Sequence, residues 1–272
     1  AAHATSLWQF VLAHAIFIGL FGSSATFGPL IADTSLWFNK HRGIAVALVA
    51  SGNYLSGTLW PPLLQYAIDE IGWRQAHIGI GVICLITILP LAYFLRRRPP
   101  LNVNETQNSI VPNIEVKFTP PSPILLQGLL VVAGLSCCIA MSMPQVHLVA
   151  YCGDLGFAAQ RGAEMLSIML GLGIISRLLS GIVADRIGGL SALLLGSTLQ
   201  GFALLLYLPF DGLVSLYIVS GVFGLSQGGI VPSYALVVRD MFPAREAATR
   251  IGLVFTATQI GMATGGWLSG EI

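Results

Sequence analysis

The stretch that decides the fold is Glu164–Gly189, EMLSIMLGLGIISRLLSGIVADRIGG. Most of it is apolar enough to lie in lipid, yet Arg177 stands well inside the apolar run and Asp185-Arg186 follow near its end. A cation in a membrane helix costs roughly 2.5–3.5 kcal/mol on insertion scales, and such residues usually have a function. The stretch therefore predicts a membrane helix with a functional charge, which favours a transporter over a membrane anchor.

The composition of the whole chain agrees with this interpretation. The chain has 272 residues, of which 55% are hydrophobic and only 9% are charged, whereas a soluble domain is about 25% charged. A net charge of +1 gives no indication of a nucleic-acid partner. The cysteines form no CxxC pair, and the sequence contains no HExxH, GxSxG or GxxxxGK[ST] motif. We therefore expect no metal, no cofactor and no enzyme activity.

Long apolar runs predict an all-α membrane protein with about eight spanning helices. The predicted spans are residues 7–32, 43–67, 75–95, 122–151, 163–184, 190–209, 212–238 and 249–270. Residues 96–121 are polar and rich in proline, which is typical of a flexible linker. We predict part of one helical bundle over 1–95, a linker over 96–121 and a second bundle over 122–272.

Basic residues predict the orientation, because cytoplasmic loops of membrane proteins are enriched in lysine and arginine. One set of loops contains Lys40, Arg42, Arg96, Arg97, Arg98, Lys117, Arg186, Arg239, Arg245 and Arg250. The opposite set contains only Arg74 and Arg161. The linker is therefore expected to be cytoplasmic.

An internal repeat relates the first and seventh predicted spans. Gly19–Ser24, GLFGSS, recurs as Gly221–Ser226, GVFGLS, and Pro29 is echoed by Pro232 at nearly the same offset. Many secondary transporters are built from such repeats.

Three loops resemble signatures of the major facilitator superfamily. Gly181–Gly188, GIVADRIG, resembles the loop after that superfamily's eighth helix, and Trp37–Gly43 and Gly72–Arg74 resemble the loops after its fourth and fifth helices. Val146–Leu148 and Gly153–Gly156 are similar to bacterial relatives of the monocarboxylate transporters.

The resemblance implies two six-helix bundles joined by a cytoplasmic linker, of which this chain covers helices 4 to 11. Helices 1 to 3 and 12 are then expected outside this sequence. It also implies a monomeric multi-pass protein, expected in a bacterial inner membrane, that carries a small organic anion by alternating access. A nutrient sensor on a transporter scaffold, or a carrier of a neutral or other small solute, remains an alternative.

Arg177 is the first candidate for binding the substrate. In the monocarboxylate and oxalate/formate families an arginine at the matching place holds the substrate carboxylate, through two parallel hydrogen bonds that only a guanidinium offers. Gly173 stands where monocarboxylate transporters often have aspartate, and the last span has no lysine, so a monoanion is favoured. Alternatively, Arg177 extends along its helix to the cytoplasmic surface.

Further polar side chains at membrane depth are expected to contact substrate or to join helices. His147 could donate to an anion or move a proton, or bond to a neighbouring carbonyl. The other candidates are Tyr151, Asn53, Tyr54 and Gln227.

The resemblance implies a conformational latch on the cytoplasmic side, formed by Gly181, Asp185, Arg186 and Asp240. Asp185 is expected to cap the helix that starts near Gly43, and Arg186 to pair with Asp240. A solvated charged turn is the alternative.

Coupling to protons stays open. The carboxylates lie near the ends of the predicted spans: Asp33, Asp69, Glu70, Asp154, Glu164, Asp211 and Asp240. A proton carrier would therefore be His147 or a residue outside this sequence; otherwise transport is exchange or uniport.

Overall fold

The computed structural model describes residues 2–38, 41–94 and 122–271, and these residues form helices joined by short connections. Linker residues 96–121, predicted to be cytoplasmic, lie outside the described residues. The helices are α1 (Leu7–Ala13), α2 (Ser24–Trp37), α3 (Arg42–Ile71), α4 (Trp73–Phe94), α5 (Pro123–Asp154), α6 (Ala159–Ile187), α7 (Gly189–Leu205), α8 (Leu213–Gln227), α9 (Ile230–Met241) and α10 (Ala244–Glu271). A π-helix, His14–Ser23, joins α1 to α2.

Each predicted span coincides with helical structure, and two of the spans are interrupted. The first contains the π-helix, and the seventh is divided into α8 and α9 at Gly228-Gly229. Four helical stretches among the described residues are long and apolar enough to cross a membrane: Trp73–Tyr93, Pro123–Asp154, Gln160–Ile187 and Leu213–Met241. The chain is thus an all-α membrane protein.

Local sequence explains where several helices begin and end. The Ser122 side chain accepts a hydrogen bond from the Leu125 amide, and Pro123 occupies the first turn of α5, where its missing N–H costs nothing. Gly72 and Gly188 have φ angles of 80° and 87°, which side-chain-bearing residues rarely adopt. These two glycines allow α3 to turn directly into α4, and α6 into α7.

The helices pack in pairs, of which α5 with α10 and α3 with α6 are the most extensive. One apolar core joins the N-terminal helices to the C-terminal ones, since Ile31 and Val46 cluster there with Val238 and Ile251. A second core, around Met165, Leu216 and Phe223, lies at the other end of α6 and α8. Arg177 lies on α6, which packs against both α3 and α8.

Candidate functional site

The Arg177 side chain is buried, with only 2% of the residue exposed. Its Nε donates to the Gly228 carbonyl oxygen at 2.9 Å, and its Nη1 donates to the Ala50 carbonyl oxygen. The guanidinium carbon lies 3.5 Å from the centroid of the Tyr54 ring, a cation–π contact. The side chain is thus held between α3 and the α8–α9 break, and does not extend to the cytoplasmic surface.

The charge of Arg177 has no carboxylate partner among the described residues, whereas Arg42, Arg161 and Arg250 each form an ion pair. Backbone carbonyls and an aromatic face stabilise a cation through partial charges only. A buried guanidinium keeps its full charge. The site therefore holds a positive charge that a bound anion could neutralise.

Gly173 lies one turn before Arg177 and packs against Tyr54. A Cβ at Gly173 would come within 2.5 Å of a Tyr54 ring carbon, so no larger side chain fits without moving the ring. Tyr54 therefore fills the space beside Gly173, and its ring contacts the arginine.

The break between α8 and α9 supplies one of the arginine's acceptors. Cβ atoms at Gly228 and Gly229 would overlap Ser176 and Ser180 of α6. The backbone can approach α6 this closely because both residues are glycine. Interrupted helices are a common feature of transporter binding sites, since their free carbonyls and amides face the cargo.

Gln227, at the end of α8, is fully buried. Its Oε1 accepts a hydrogen bond from Gln145 Nε2 at 3.0 Å, whereas its own Nε2 has no hydrogen-bond partner in the part of the chain that the structure describes. Because Gly228 follows it directly, Gln227 lies next to the carbonyl that Arg177 contacts.

Two other predicted site residues, His147 and Tyr151, lie elsewhere in the bundle. His147 Nε2 hydrogen-bonds to the Gly266 carbonyl oxygen at 2.8 Å, in the contact between α5 and α10. Tyr151 is half-buried and packs against the core around Met165. These positions match the packing alternatives considered for both residues.

Of the remaining candidates, Tyr54 contacts the Arg177 guanidinium through its ring. Asn53 is exposed on α3. The structure thus brings Arg177 together with Tyr54 and with the carbonyl of Gly228, the residue after Gln227.

Asp185 contacts the helix that the sequence predicted. Its two carboxylate oxygens accept hydrogen bonds from the Gly43 amide at 2.6 Å and the Ile44 amide at 3.1 Å. The cap residue of α3, His41, makes no side-chain capping bond. Asp185 thus supplies the cap from another helix, where its charge also complements the positive end of the α3 dipole.

Gly181 allows this contact, because α3 and α6 touch through their backbones at this point. A Cβ at Gly181 would lie 2.7 Å from the Ala47 Cβ and 2.7 Å from the Gly43 carbonyl oxygen. The glycine is therefore required for the close approach of the two helices.

The predicted pairing of Arg186 with Asp240 is wrong. Asp240 Oδ1 instead lies 3.4 Å from Arg42 Nη1, and Arg186 is exposed with no ion pair among the described residues. Arg42 begins the same helix that Asp185 caps, so Asp240 of α9 reinforces the α3 terminus.

Sequence reasoning did not identify Gln145 as part of the site. A signal was present, since Gln145 is an amide within an apolar span directly after Pro144, where a helix in a membrane loses a backbone hydrogen bond. The carbonyls of Ala50 and Gly228 gave no such signal, because every residue carries one.

Comparison with known proteins points to one family. The sequence profile of the Major Facilitator Superfamily matches residues 1–266. The chain is 26% identical to the MFS-type transporter pynF of Aspergillus niger, over 97% of this chain and 60% of that protein. It is 27% identical to Monocarboxylate transporter 13 of Bos taurus, over 100% of this chain and 63% of that protein.

A third relative is the Agnestins efflux protein AgnL12 of Paecilomyces divaricatus, 23% identical over 98% of this chain and 60% of its own length. The chain thus spans about 60% of the length of these relatives. They come from fungi and a mammal, so they give no support to the bacterial inner membrane expected from the sequence.

Proposed function

Because this chain belongs to the Major Facilitator Superfamily, we propose that the protein is a secondary transporter of a small, monocarboxylate-like organic anion that works by alternating access. Residues 1–95 and 122–272 would contribute to its two bundles, joined by the cytoplasmic linker 96–121. The match to a monocarboxylate transporter supports the substrate class.

The burial of Arg177 without a carboxylate partner among the described residues carries this proposal. A neutral cargo would leave this charge uncompensated, which is costly away from water. A carboxylate would neutralise it through two parallel hydrogen bonds.

The acceptors that Arg177 has in this structure support alternating access. It bonds to Ala50 of α3 and to Gly228, between α8 and α9, so one guanidinium joins the two parts of the chain. A carboxylate that takes the arginine's donors would release Ala50. Binding of cargo would in this way weaken the contact between α3 and α6 and allow the cytoplasmic side to open.

Uptake by the full-length protein in proteoliposomes tests the role of Arg177. Arg177→Lys keeps the charge and loses the planar pair of donors, so we expect carboxylate uptake to fall at least about tenfold. The control is Arg74→Lys at an exposed position, which should leave uptake unchanged. Unchanged uptake by folded Arg177→Lys protein would reject the role.

Counterflow separates a transporter from a sensor. Vesicles preloaded with unlabelled carboxylate should transiently accumulate labelled carboxylate from outside, because a carrier exchanges the two. A sensor would bind the anion without accumulating it.

A further inference from the structure

We propose that the start of α10 carries a lipid-binding site, at which an anionic phospholipid of the cytoplasmic leaflet places its phosphate beside Arg245 and Arg250. The site lies on a different helix from Arg177, and its occupant is a lipid of the surrounding membrane rather than cargo. It therefore stands or falls independently of the anion that the protein carries.

A cavity of about 380 Å³ lies along one side of α10, lined by Arg245, Glu246, Thr249, Arg250 and Leu253. Ligand pockets in proteins have volumes of about 300–1,000 Å³, so this cavity is large enough for a phospholipid headgroup. Two arginines and one glutamate give its lining a net charge of +1. This charge complements a monoanionic phosphodiester.

Arg250 is the cation of the cavity that the protein itself holds in place. Its Nε and Nη2 donate to Glu246 Oε2 at 2.9 and 2.8 Å, and its Nη1 donates to Gln127 Oε1 at 3.4 Å. The guanidinium carbon lies 4.0 Å from the centroid of the Phe242 ring. Because Glu246 and Arg250 neutralise each other, the net charge of the cavity resides on Arg245.

Arg245 and Thr249 have donors that the described residues do not use. Arg245 is exposed and forms no ion pair with the described residues. Thr256 and Thr264 of the same helix donate to carbonyls four residues earlier, at 2.9 and 2.8 Å, whereas the Thr249 hydroxyl has no such acceptor in the described part of the chain. Residues four apart are neighbours on a helix surface, so Arg245 and Thr249 can donate to the same phosphate.

The cavity has the polarity of a phospholipid. Leu253, which is 53% exposed, forms its apolar end and lies about 12 Å further along the helix than Arg245, at 1.5 Å per residue. The predicted span begins at residue 249, so Arg245 is expected at the level of the headgroups and Leu253 within the hydrocarbon. Basic pockets at the cytoplasmic ends of membrane helices bind anionic headgroups. A lipid also gains the contact with Leu253, which a soluble phosphate does not.

Lipid binding to the full-length protein, measured by native mass spectrometry in detergent, tests the proposal. The probes are dioleoyl phosphatidylglycerol, which is monoanionic, and dioleoyl phosphatidylcholine, which has the same chains and no net charge. We expect the wild type to bind phosphatidylglycerol at least about fivefold more tightly, because one arginine near the membrane surface contributes about this factor. Arg245→Gln should bring the ratio close to one.

Arg186→Gln is the matched control. Arg186 is exposed, is expected on the same side of the membrane and forms no ion pair among the described residues, but it does not line the cavity. This variant should keep the wild-type ratio, and both variants should melt as the wild type does in phosphatidylcholine. An unchanged ratio in Arg245→Gln, or an equal loss in both variants, would overturn the proposal.

A water-soluble headgroup distinguishes a lipid from a free phosphate. Glycerophosphoglycerol has the charge of phosphatidylglycerol and no acyl chains. We expect it to displace the lipid only above about a hundredfold excess, since each buried CH₂ group of a chain strengthens binding several-fold. Displacement at equal concentration would assign the cavity to a soluble phosphate and overturn the lipid as its occupant.

Discussion

The α3–α6 contact and the α5–α10 contact both depend on glycine, but the polar groups that join the two helices differ. In α5–α10, Cβ atoms at Gly261 and Gly265 would overlap the Leu135 and Ile139 carbonyls, so the backbones are in direct contact. Hydrogen bonds there join His147 to Gly266 at 2.8 Å and, at 3.4 Å, Gln127 to Arg250. In α3–α6, charged groups bridge the helices, through Asp185 at Gly43 and Ile44 and Arg177 at Ala50.

This difference indicates which contact can open. Close packing of small residues gives stable association in a membrane, where no hydrophobic force drives helices together. Bonds to ionised groups are strong while dry, and water or a bound anion can replace them. We therefore infer that α5–α10 stays closed throughout transport, whereas α3–α6 is the contact that opens toward the cytoplasm.

The largest expected effect is on α5–α10. In Gly261→Val the added side chain would collide with the Leu135 backbone, which cannot move aside as a flexible side chain can. We expect a loss of about 3 kcal/mol or more in stability, and a melting temperature lower by about 10 °C. Fluorescence-detected size-exclusion after heating measures this effect.

Gly252→Val is the control on the same helix, since a Cβ there meets no atom within 4 Å. It should melt as the wild type does. Equal melting of all three proteins would contradict the permanent role of the α5–α10 contact.

Gly43→Val should open the α3–α6 contact without unfolding the protein. Its side chain would collide with Gly181 and Asp185, so α3 and α6 must separate, while the cores around them remain. Ser51→Cys, at a buried position on α3, reports the opening. We expect a membrane-impermeant thiol reagent on the cytoplasmic side to label this cysteine several-fold faster in the Gly43→Val background. Unfolding like that of Gly261→Val would remove the distinction between the two contacts.

Asp185→Asn should open the same contact by a smaller amount. The amide keeps one acceptor oxygen and loses the charge at the α3 terminus, at a cost of about 1 kcal/mol, or roughly a fivefold shift in the equilibrium. The same cysteine measures it. Arg186→Gln, the neighbouring exposed residue without an ion pair among the described residues, serves as the control. Equal labelling in both variants would reject the cap as a latch.

The smallest effect is expected for His147. His147→Gln loses one hydrogen bond to Gly266, at a cost of about 1 kcal/mol of stability. Uptake should keep more than half of its wild-type rate and the same dependence on pH. A changed pH profile would make His147 a proton carrier instead of a packing residue.

The helices were predictable because long apolar runs have one stable arrangement in a membrane. The break at Gly228-Gly229 could not be predicted from the sequence, because glycine is tolerated in a membrane helix. The interruption depends on how closely α6 approaches. The Asp185 contact was expected from family resemblance alone. Arg186 was assigned the wrong partner because its sequence position does not reveal that Arg42 lies nearer to Asp240.

The sequence shows which polar residues lie in apolar runs, but it does not show what each of them contacts. The sequence predicted Arg177, Tyr54 and Gln227 as site residues because polar groups in apolar runs are unusual. It could not separate them from His147 and Tyr151, which share that property. Only the partners in space show that His147 bonds to Gly266, whereas the Gln227 amide nitrogen has no partner among the described residues.

The proposal that α3–α6 opens while α5–α10 stays closed is tested most directly by pulsed electron–electron double resonance, which measures both contacts in one protein. Spin labels at exposed Leu48 and Ile187 report on α3–α6, and labels at exposed Leu125 and Leu253 report on α5–α10, with the four native cysteines replaced. With saturating carboxylate, a longer distance should appear between Leu48 and Ile187, while the Leu125–Leu253 distance stays constant. An unchanged first distance, or equal changes in both, would contradict the account.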